Sequence, residues 1–349
     1  MKFYTIFRMN RRNRVNIYDI AKLADVSIAT VSRVVNNSPK VSQKTKEKVL
    51  AVMKENEYTP NAFARGLGLG TMKTVGIICP NIDDIYMAKA VSYLESNLHD
   101  HGYDCILGCS GFKQEEKENY VKLLLSKKID TLILVGSTYA GKGKDESDTD
   151  YIREAAEQAS VFMINAKVAG DNIYCTYADD FQATYEVTKA YLRRGKEKIL
   201  FMYDSDSFSA RQKMAGYEAA LQDAGYPVLG NLKFKTKNDI EYTKNMLLEY
   251  NKVLDFDSVL ATDDGIAVGA IKYAKIKGLS IPEELSITGY NNSILALATD
   301  PELTSVDSKL GAMCRKTVER MINLLENETQ IEKNVCVPCE IVRRCTTDY

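Results

Sequence analysis

The sequence predicts an α/β protein in which a small all-helical segment precedes two lobes of doubly wound parallel sheet. The first observation is a set of three short helical patterns between residues 16 and 60. The second is an alternation of strand and helix patterns that begins at Lys73 and continues toward the C-terminus. Because this alternation covers about 275 residues, more than one ordinary domain, it predicts two lobes rather than one.

Each of the three N-terminal helices is preceded by a residue that can cap it. The pairs of cap and helix are Asn16 with Ile17–Ala24, Ser27 with residues 28–36, and Ser42 with residues 43–56. Asp19 stands at the third helical position and can return a hydrogen bond to Asn16. The apolar residues fall on one face of each helix and together make only a small core, which is typical of a DNA-binding headpiece.

Buried strand patterns alternate with amphipathic helix patterns from Lys73 onward. The strands are predicted at residues 75–79, 105–107, 131–135, 161–164, 199–203, 259–262 and 286–288. The helices between them are predicted at about 88–101, 114–127, 181–194, 211–224, 239–250 and 265–277. Ligands of such folds bind beyond the carboxyl ends of the parallel strands, so the residues directly after each strand are the candidates for a binding site.

Charge is distributed unevenly along a chain whose net charge is -1. Residues 1–74 carry 14 Lys and Arg against 5 Asp and Glu, whereas the remainder carries 32 against 42. A basic N-terminal fifth on an acidic body favours a polyanionic partner. A solvated basic face would give the same charge, so charge alone leaves both interpretations open.

The sequence disfavours membrane and secreted classes of protein. No apolar run reaches the roughly 20 residues of a membrane helix, and the N-terminus lacks the apolar core of a secretory signal. We therefore expect a cytoplasmic protein without membrane contact, whose eight Cys are reduced. The Cys336-Val-Pro-Cys339 motif has no second pair and no nearby His, so we expect neither a metal site nor a redox role there.

Catalysis is disfavoured by the absence of the usual motifs. The chain has no P-loop and no dinucleotide fingerprint. Its two His, His99 and His101, lie together at a helix end, so a nucleophile–His arrangement would have to be built around that pair. The adjacent carboxylates Asp83-Asp84 and Asp263-Asp264 could bind a metal, but helix capping and solvated loops are the commoner roles. We expect neither enzyme activity nor a cofactor.

Six segments carry a resemblance to a known family. They are VNIYDIAKLADVSIATVSRVVN at 15–36 with VSQKT at 41–45, YTPNAFARGL at 58–67, SARQKMAGY at 209–217, ATDDGIAVG at 261–269, ITGYN at 287–291 and PELTSV at 301–306. In this order they resemble the lactose-repressor (LacI/GalR-type) family of transcriptional regulators. The resemblance spans nearly the whole chain after residue 14.

The resemblance implies three parts. These are a helix-turn-helix headpiece over residues 14–60, a hinge over 61–72, and a periplasmic-binding-protein-like domain for effector binding and dimerisation over 73–349. The first lobe is expected over about 73–175 and 305–335, and the second over about 176–304 and 336–349.

By the same resemblance the second helix of the headpiece enters the major groove of DNA. Arg33 can donate two hydrogen bonds to a guanine, while Ile28 and Ala29 offer apolar contact to a thymine methyl group. The other polar groups suit phosphates, which fix position rather than sequence: Tyr18, Thr30, Ser32 and Asn36. The alternative role for Arg33 is a surface salt bridge.

The family hinge is expected over Asn61–Leu67, in the minor groove of the operator. Leu67 would wedge into a central base step with its symmetry mate, and Ala64 would face the groove floor. Gly66, Gly68 and Gly70 weaken a helix there, since each interior Gly costs about 1 kcal/mol relative to Ala. We therefore expect the hinge to order only on DNA. The alternative for Leu67 is a residue of a simple linker.

Five residues are expected at the effector site. Arg211 matches the ligand-binding Arg of the family, and its guanidinium suits hydroxyls or a carboxylate. Asp263 follows a strand, and Asn291 stands where relatives mostly carry Asp, which replaces an acceptor with a donor–acceptor. That change is compatible with a different sugar, a charged ligand or no sugar. Tyr86 would stack on a sugar ring or pack in the core, and Asn165 would line the cleft or cap a loop.

The implied partners are double-stranded DNA, with a pseudo-palindromic operator read by a homodimer, and a small effector, which in this family is a carbohydrate. The C-terminus has no apolar heptad tail, which favours a dimer over a tetramer. The competing interpretation is a solute-binding module without operator binding. The intact headpiece and the missing signal peptide disfavour it. Repressor or activator is left open.

Overall fold

The computed structural model describes residues 15–59, 71–141, 143, 146–327 and 329–349. The chain divides into two compact units, one that ends at Lys73 and one that begins at Thr74. None of the helices in these ranges is both long and apolar enough to cross a membrane.

The described part of the first unit contains three helices, α1 (Ile17–Leu23), α2 (Ile28–Val35) and α3 (Gln43–Glu55). Each begins at its predicted cap. The Asn16 side chain accepts from the backbone N–H of Tyr18 and Asp19, and the Asp19 carboxylate accepts from the Asn16 N–H at 2.9 Å. Ser27 and Ser42 accept in the same way from the N–H groups of Thr30 and Thr45. These bonds satisfy N–H groups that have no partner inside the helix.

One small apolar cluster holds the three helices together. Its buried members are Ile20, Ala21, Ala24, Val31, Val34, Val49 and Met53. They recur at helical spacing on each element, as the sequence pattern predicts. Since so few side chains form this core, each one matters to the folding of the unit.

The second unit begins with a six-stranded parallel sheet in the order β11-β5-β4-β3-β1-β2. Its strands are β1 (Thr74–Cys79), β2 (Asp104–Cys109), β3 (Thr131–Val135), β4 (Ser160–Ile164), β5 (Ile173–Ala178) and β11 (Asn334–Val337). Its helices are α4 (Ile85–Asp100), α5 (Gln114–Ser126), α6 (Asp150–Ala156) and α12 (Leu310–Glu326). Val75 and Ile77 pack with α4 and α12, while Ile78 packs with α5 and α6 on the other face.

A second six-stranded sheet has the order β12-β10-β9-β8-β6-β7, parallel except for β12. Its strands are β6 (Ile199–Tyr203), β7 (Lys233–Lys235), β8 (Ser258–Ala261), β9 (Ser286–Tyr290), β10 (Thr304–Asp307) and β12 (Glu340–Val342). Its helices are α7 (Asp180–Arg193), α8 (Phe208–Asp223), α9 (Ile240–Tyr250), α10 (Asp264–Lys277) and α11 (Ile294–Ala298). Gly216 lets α8 approach α7, because a Cβ there would lie 2.2 Å from the Phe181 carbonyl oxygen.

The chain passes between the two sheets three times. The passages follow β5, β10 and β11, so they fall after residues 178, 307 and 337. These positions lie two or three residues after the lobe limits expected from the sequence, which were 175, 304 and 335. The reason is strand pairing: Ser305 aligns with Gly289 of β9 and Val342 of β12, which keeps β10 in the second lobe.

Candidate DNA-binding surface and effector cleft

Helix α2 separates its buried and exposed side chains cleanly. Val31 and Val34 face the core, whereas Ile28 is 41% exposed and Arg33 is exposed. The Arg33 guanidinium forms no hydrogen bond or ion pair with any residue that the structure describes. The alternative role for Arg33, a surface salt bridge, is therefore not observed among the described residues. The guanidinium remains able to donate hydrogen bonds to a new partner.

The expected phosphate-binding residues differ in accessibility. Tyr18 is 67% exposed. The Thr30 hydroxyl is engaged with the Ser27 hydroxyl at 2.9 Å, as part of the cap of α2. Ser32 and Asn36 are half-buried, and the Asn36 Oδ1 has no hydrogen-bond partner among the described residues. Asn61, Ala64 and Leu67 lie outside the described residues, so their hinge roles stay predictions.

A cleft lies between the two lobes of the second unit. Two adjoining cavities of about 810 Å³ and about 400 Å³ form it and share much of their lining. The shared lining includes Asn81, Asp84 and Tyr86 from the first lobe, and Asp204, Asp263 and Asn291 from the second. Most of these residues follow strands β1, β6, β8 and β9. The cleft is thus at the carboxyl ends of the parallel strands, where ligands of such sheets bind.

Asp263 and Asn291 form a pair in the cleft. The Asn291 amide donates to Asp263 Oδ2 at 2.9 Å, and the Gly265 N–H donates to Asp263 Oδ1 at 2.8 Å. Burial raises the pKa of Asp263 to about 7, despite the Gly265 bond, and the negative charges of Asp264, Asp84 and Asp204 act in the same direction. This carboxyl therefore changes charge near neutral pH.

Tyr86 and Asn165 both line the cleft, and their roles toward a ligand stay predictions. Tyr86 lines both cavities and also packs against the apolar core of the first lobe. Asn165 follows β4 in a left-handed conformation with φ of 58°, as a loop residue, and it lines the smaller cavity. It is 7% exposed, and its Oδ1 has no partner among the described residues.

Arg211 departs from its expected role in this structure, because it is not among the residues that line the cleft. Its guanidinium donates to the carbonyl oxygens of Gly141 at 3.2 Å and Asp206 at 2.6 Å. Gly141 belongs to the first lobe and Asp206 to the second, so Arg211 bridges the lobes. Both bonds are made by Nη1.

Sequence reasoning missed most of the cleft lining, including Asp204, Lys213 and Thr262, and it considered Asp84 only as a possible metal ligand or helix cap. Asp204 and Thr262 stand at the ends of strands β6 and β8, so position alone could have indicated them. Lys213 lies on α8 and is 5% exposed; its Nζ donates to the Thr262 carbonyl at 3.1 Å. No sequence pattern marks it, since buried Lys residues are rare and depend on tertiary partners.

Comparisons with known proteins agree with these two regions. The model "Bacterial regulatory proteins, lacI family" matches residues 16–61, and "Periplasmic binding proteins and sugar binding domain of LacI family" matches residues 72–345. An HTH-type transcriptional regulator of Lachnoclostridium phytofermentans is 44% identical over 336 residues, which cover 96% of this chain and 100% of the relative.

Solved structures show the same fold. A lac repressor dimer bound to operator and the anti-inducer ONPF superimposes with a TM-score of 0.85 at 22% identity, over 95% of this chain and 98% of the other. The transcriptional regulator CelR in complex with cellobiose gives 0.69 at 21% identity, over 96% and 100%. With both family models matched and a relative of 44% identity matched along its whole length, the chain belongs to the LacI family and is a DNA-binding transcriptional regulator with a sugar-binding-type domain.

Proposed function

We propose that this regulator is a repressor, that it binds a pseudo-palindromic operator as a homodimer in the cytoplasm, and that a small effector in the interlobe cleft controls its affinity for that operator. The observation that carries the proposal is the exposed face of α2, where Arg33 has no partner in the described chain. The lac repressor dimer, which has the same fold, is bound to its operator.

In the proposed complex α2 lies in the major groove of each half-site. Arg33 donates two hydrogen bonds to a guanine, a contact worth about 1–3 kcal/mol of discrimination, while Ile28 and Ala29 contact a thymine methyl group. Tyr18, Thr30, Ser32 and Asn36 bind phosphates. In the minor groove Leu67 is the wedge, beside Ala64 and Asn61.

The effector would bind both lobes at once. Tyr86 and Asn165 approach it from the first lobe, and Asp263 and Asn291 from the second. CelR, another member of this fold, is in complex with cellobiose, which supports a carbohydrate-like ligand. Binding would shift one lobe against the other and strain the Arg211 bridge to Gly141. Such coupling between effector and operator is typically about 1–3 kcal/mol.

The test is a titration of the full chain against the DNA upstream of its own gene, at two salt concentrations. Arg33→Ala should weaken operator binding by about 10- to 100-fold. The matched control is Lys54→Ala, which removes one exposed positive charge from the end of α3. We expect it to bind within about threefold of wild type, because a surface charge mainly changes the salt dependence.

A random-sequence selection, with and without candidate sugars, covers operators elsewhere in the genome. Enrichment of a palindrome that Arg33→Ala fails to enrich would support the proposal. If no sequence is enriched under any condition, operator binding is refuted and the solute-binding module becomes the better interpretation. Placement of the operator over a reporter promoter separates repressor from activator, and sedimentation tests the dimer.

A further inference from the structure

The charged residues that line both cavities of the interlobe cleft are all carboxylates. Asp84, Asp204 and Asp263 all line both of its cavities. Asp84 caps α4, accepting from the Met87 N–H at 3.0 Å, and Asp263 accepts from the Asn291 amide and the Gly265 N–H. The Asp204 carboxylate is exposed and forms no hydrogen bond or ion pair with the residues that the structure describes. None of the three is in an ion pair within the described chain.

The cations of the smaller cavity have other partners. Lys213 lies 3.5 Å from the centroid of the Tyr290 ring, and its charge lowers the pKa that burial raises at Asp180. Lys237 lies 4.7 Å from the centroid of the Tyr242 ring. In the larger cavity Lys309 pairs with Asp307 and Glu340, while Lys89 and Arg315 are exposed. None of these five cations lines both cavities, so among the described residues the three carboxylates are the charged groups at the place where the two cavities adjoin.

Two buried side chains in the same cleft also have a polar atom without a partner among the described residues, as do the half-buried Tyr86 and Thr138. Asn165 is 7% exposed and Thr262 is 6% exposed, and both line the smaller cavity. Neither the Asn165 Oδ1 nor the Thr262 Oγ1 has a hydrogen-bond partner among the described residues. Buried polar atoms in native proteins are nearly always hydrogen-bonded, so these two point to a polar ligand. The Asn165 oxygen requires a donor, and the Thr262 hydroxyl can accept or donate. Together with the carboxylates they make a site rich in acceptors.

We infer that the effector is a cationic polyol, of the amino-sugar class, whose ammonium group binds between Asp84, Asp204 and Asp263. Asn165 and Thr262 accept hydrogen bonds from its remaining N–H and O–H groups. An ammonium group brings three donors and a positive charge, which this set of acceptors matches. A neutral sugar would leave the carboxylates uncompensated, and an acidic sugar would be repelled. This inference rests on the proposed function, since it names the ligand of the same cleft.

The titration of Asp263 supports the assignment and adds a pH dependence. Burial and the charges of Asp264, Asp84 and Asp204 raise the pKa of Asp263, so its surroundings favour the protonated form. A bound cation reverses that preference, so binding releases a proton while Asp263 is partly protonated. Affinity for the cationic ligand should therefore rise as the pH increases toward about 7. It should fall again at higher pH, where the amine of the ligand loses its own proton.

The experiment measures binding of matched sugars to the full chain by calorimetry and by thermal shift. The probes are glucosamine, galactosamine and mannosamine, each beside its neutral parent and its N-acetyl form, with glucuronate as the anion. We expect at least one amine to bind at least about tenfold more tightly than its neutral and N-acetyl counterparts. Asp204→Asn should remove this preference, because it deletes the exposed carboxylate that has no other partner.

The control is Asp206→Asn, two residues away, whose carboxylate pairs with Lys235 outside the cleft. It should keep the preference for amines. The inference is overturned if neutral or acidic sugars bind as tightly as the amines, if none of the amines stabilises the chain at about 20 mM, or if Asp204→Asn keeps the preference. Operator titrations of the same preparations separate the two proposals: intact operator binding without amine binding refutes only the ligand class.

Discussion

The headpiece and the effector domain place their functional side chains in opposite ways. In the headpiece they are neighbours on one helix and point outward, as Ile28 and Arg33 do. In the effector domain they follow strands from two lobes and meet in a cleft, as Asp84 and Asp263 do. Helical spacing alone predicts the first kind of site. The second kind also requires the strand order and the direction of each side chain, which only the tertiary structure supplies.

The largest effect should come from breaking one region while sparing the other. Val49→Asp places a charge in the small core of the headpiece, where Val49 is fully buried. Burial of an unpaired charge costs more than about 4 kcal/mol, which exceeds what so small a core can supply. We expect the headpiece amide signals in NMR spectra to collapse to unfolded positions and operator affinity to fall more than about 100-fold.

The matched control is Leu50→Asp at the next position of α3, where the side chain is 45% exposed. It should leave both the headpiece spectrum and the thermal transition of the effector domain unchanged. The comparison fails if Val49→Asp also lowers the melting temperature of the effector domain by several degrees. That outcome would mean that the two units do not fold independently.

The sequence predicted most elements of the fold, and the exceptions have physical causes. Strands β3 and β6 have the predicted bounds, and the three headpiece helices begin at their predicted caps. Helix α12 was not predicted. Lys309 at its start has φ of 56° and offers no side-chain cap, and the buried polar residues Thr317 and Arg320 interrupt its apolar face. Without a start signal and a continuous stripe, no local pattern marks a helix there.

The sequence predicted part of the residues that line the effector cleft. Four of its five predicted residues do line the cleft, because the rule for parallel strands depends only on sequence order. Arg211 does not, since the carbonyls of Gly141 and Asp206 capture its guanidinium. A long side chain can reach several acceptors from one backbone position. Which of them it takes depends on loops that are distant in sequence.

A second, smaller effect should come from the carboxyl group of Asp263 in the cleft, which makes the stability of the effector domain depend on pH. Asp263 has a folded-state pKa of about 7, above its ordinary value of 3.8, so the folded chain holds a proton that the unfolded chain releases. Its contribution to stability is therefore full at acid pH and is lost as the pH rises toward 7. Asp263→Asn cannot ionise. Its Oδ1 can still accept from the Gly265 N–H, and its NH2 group can donate to the Asn291 oxygen once that amide turns over. We expect it to be more stable than wild type above pH 7 by up to about 4 kcal/mol, and nearly equal to it near pH 4.

Thermal melts of wild type and Asp263→Asn across this pH range make the measurement. The difference in melting temperature should grow between about pH 4 and pH 7 and then level off. A difference that stays constant with pH would show that Asp263 keeps its ordinary pKa in the folded chain. In that case burial and the neighbouring carboxylates would not raise the pKa of Asp263.

The smallest effect is expected from removing the same kind of interaction, a helix N-cap, in each of the two regions. Asn16 caps α1 of the headpiece, and Asp239 caps α9 of the effector domain, accepting from the Tyr242 N–H at 2.7 Å. Both caps are exposed, and replacement of either by Ala should cost about 1 kcal/mol. Because the melting temperature of a small domain responds more steeply to a given loss of free energy, Asn16→Ala should lower the headpiece transition by roughly 4–8 °C. Asp239→Ala should lower the effector-domain transition by only about 2–4 °C.

Calorimetry of the full chain, with the headpiece followed separately by NMR, gives both values. Equal shifts in the two transitions would mean that the headpiece is stabilised by more than the small core and caps that the structure shows, and the argument from its size would fail.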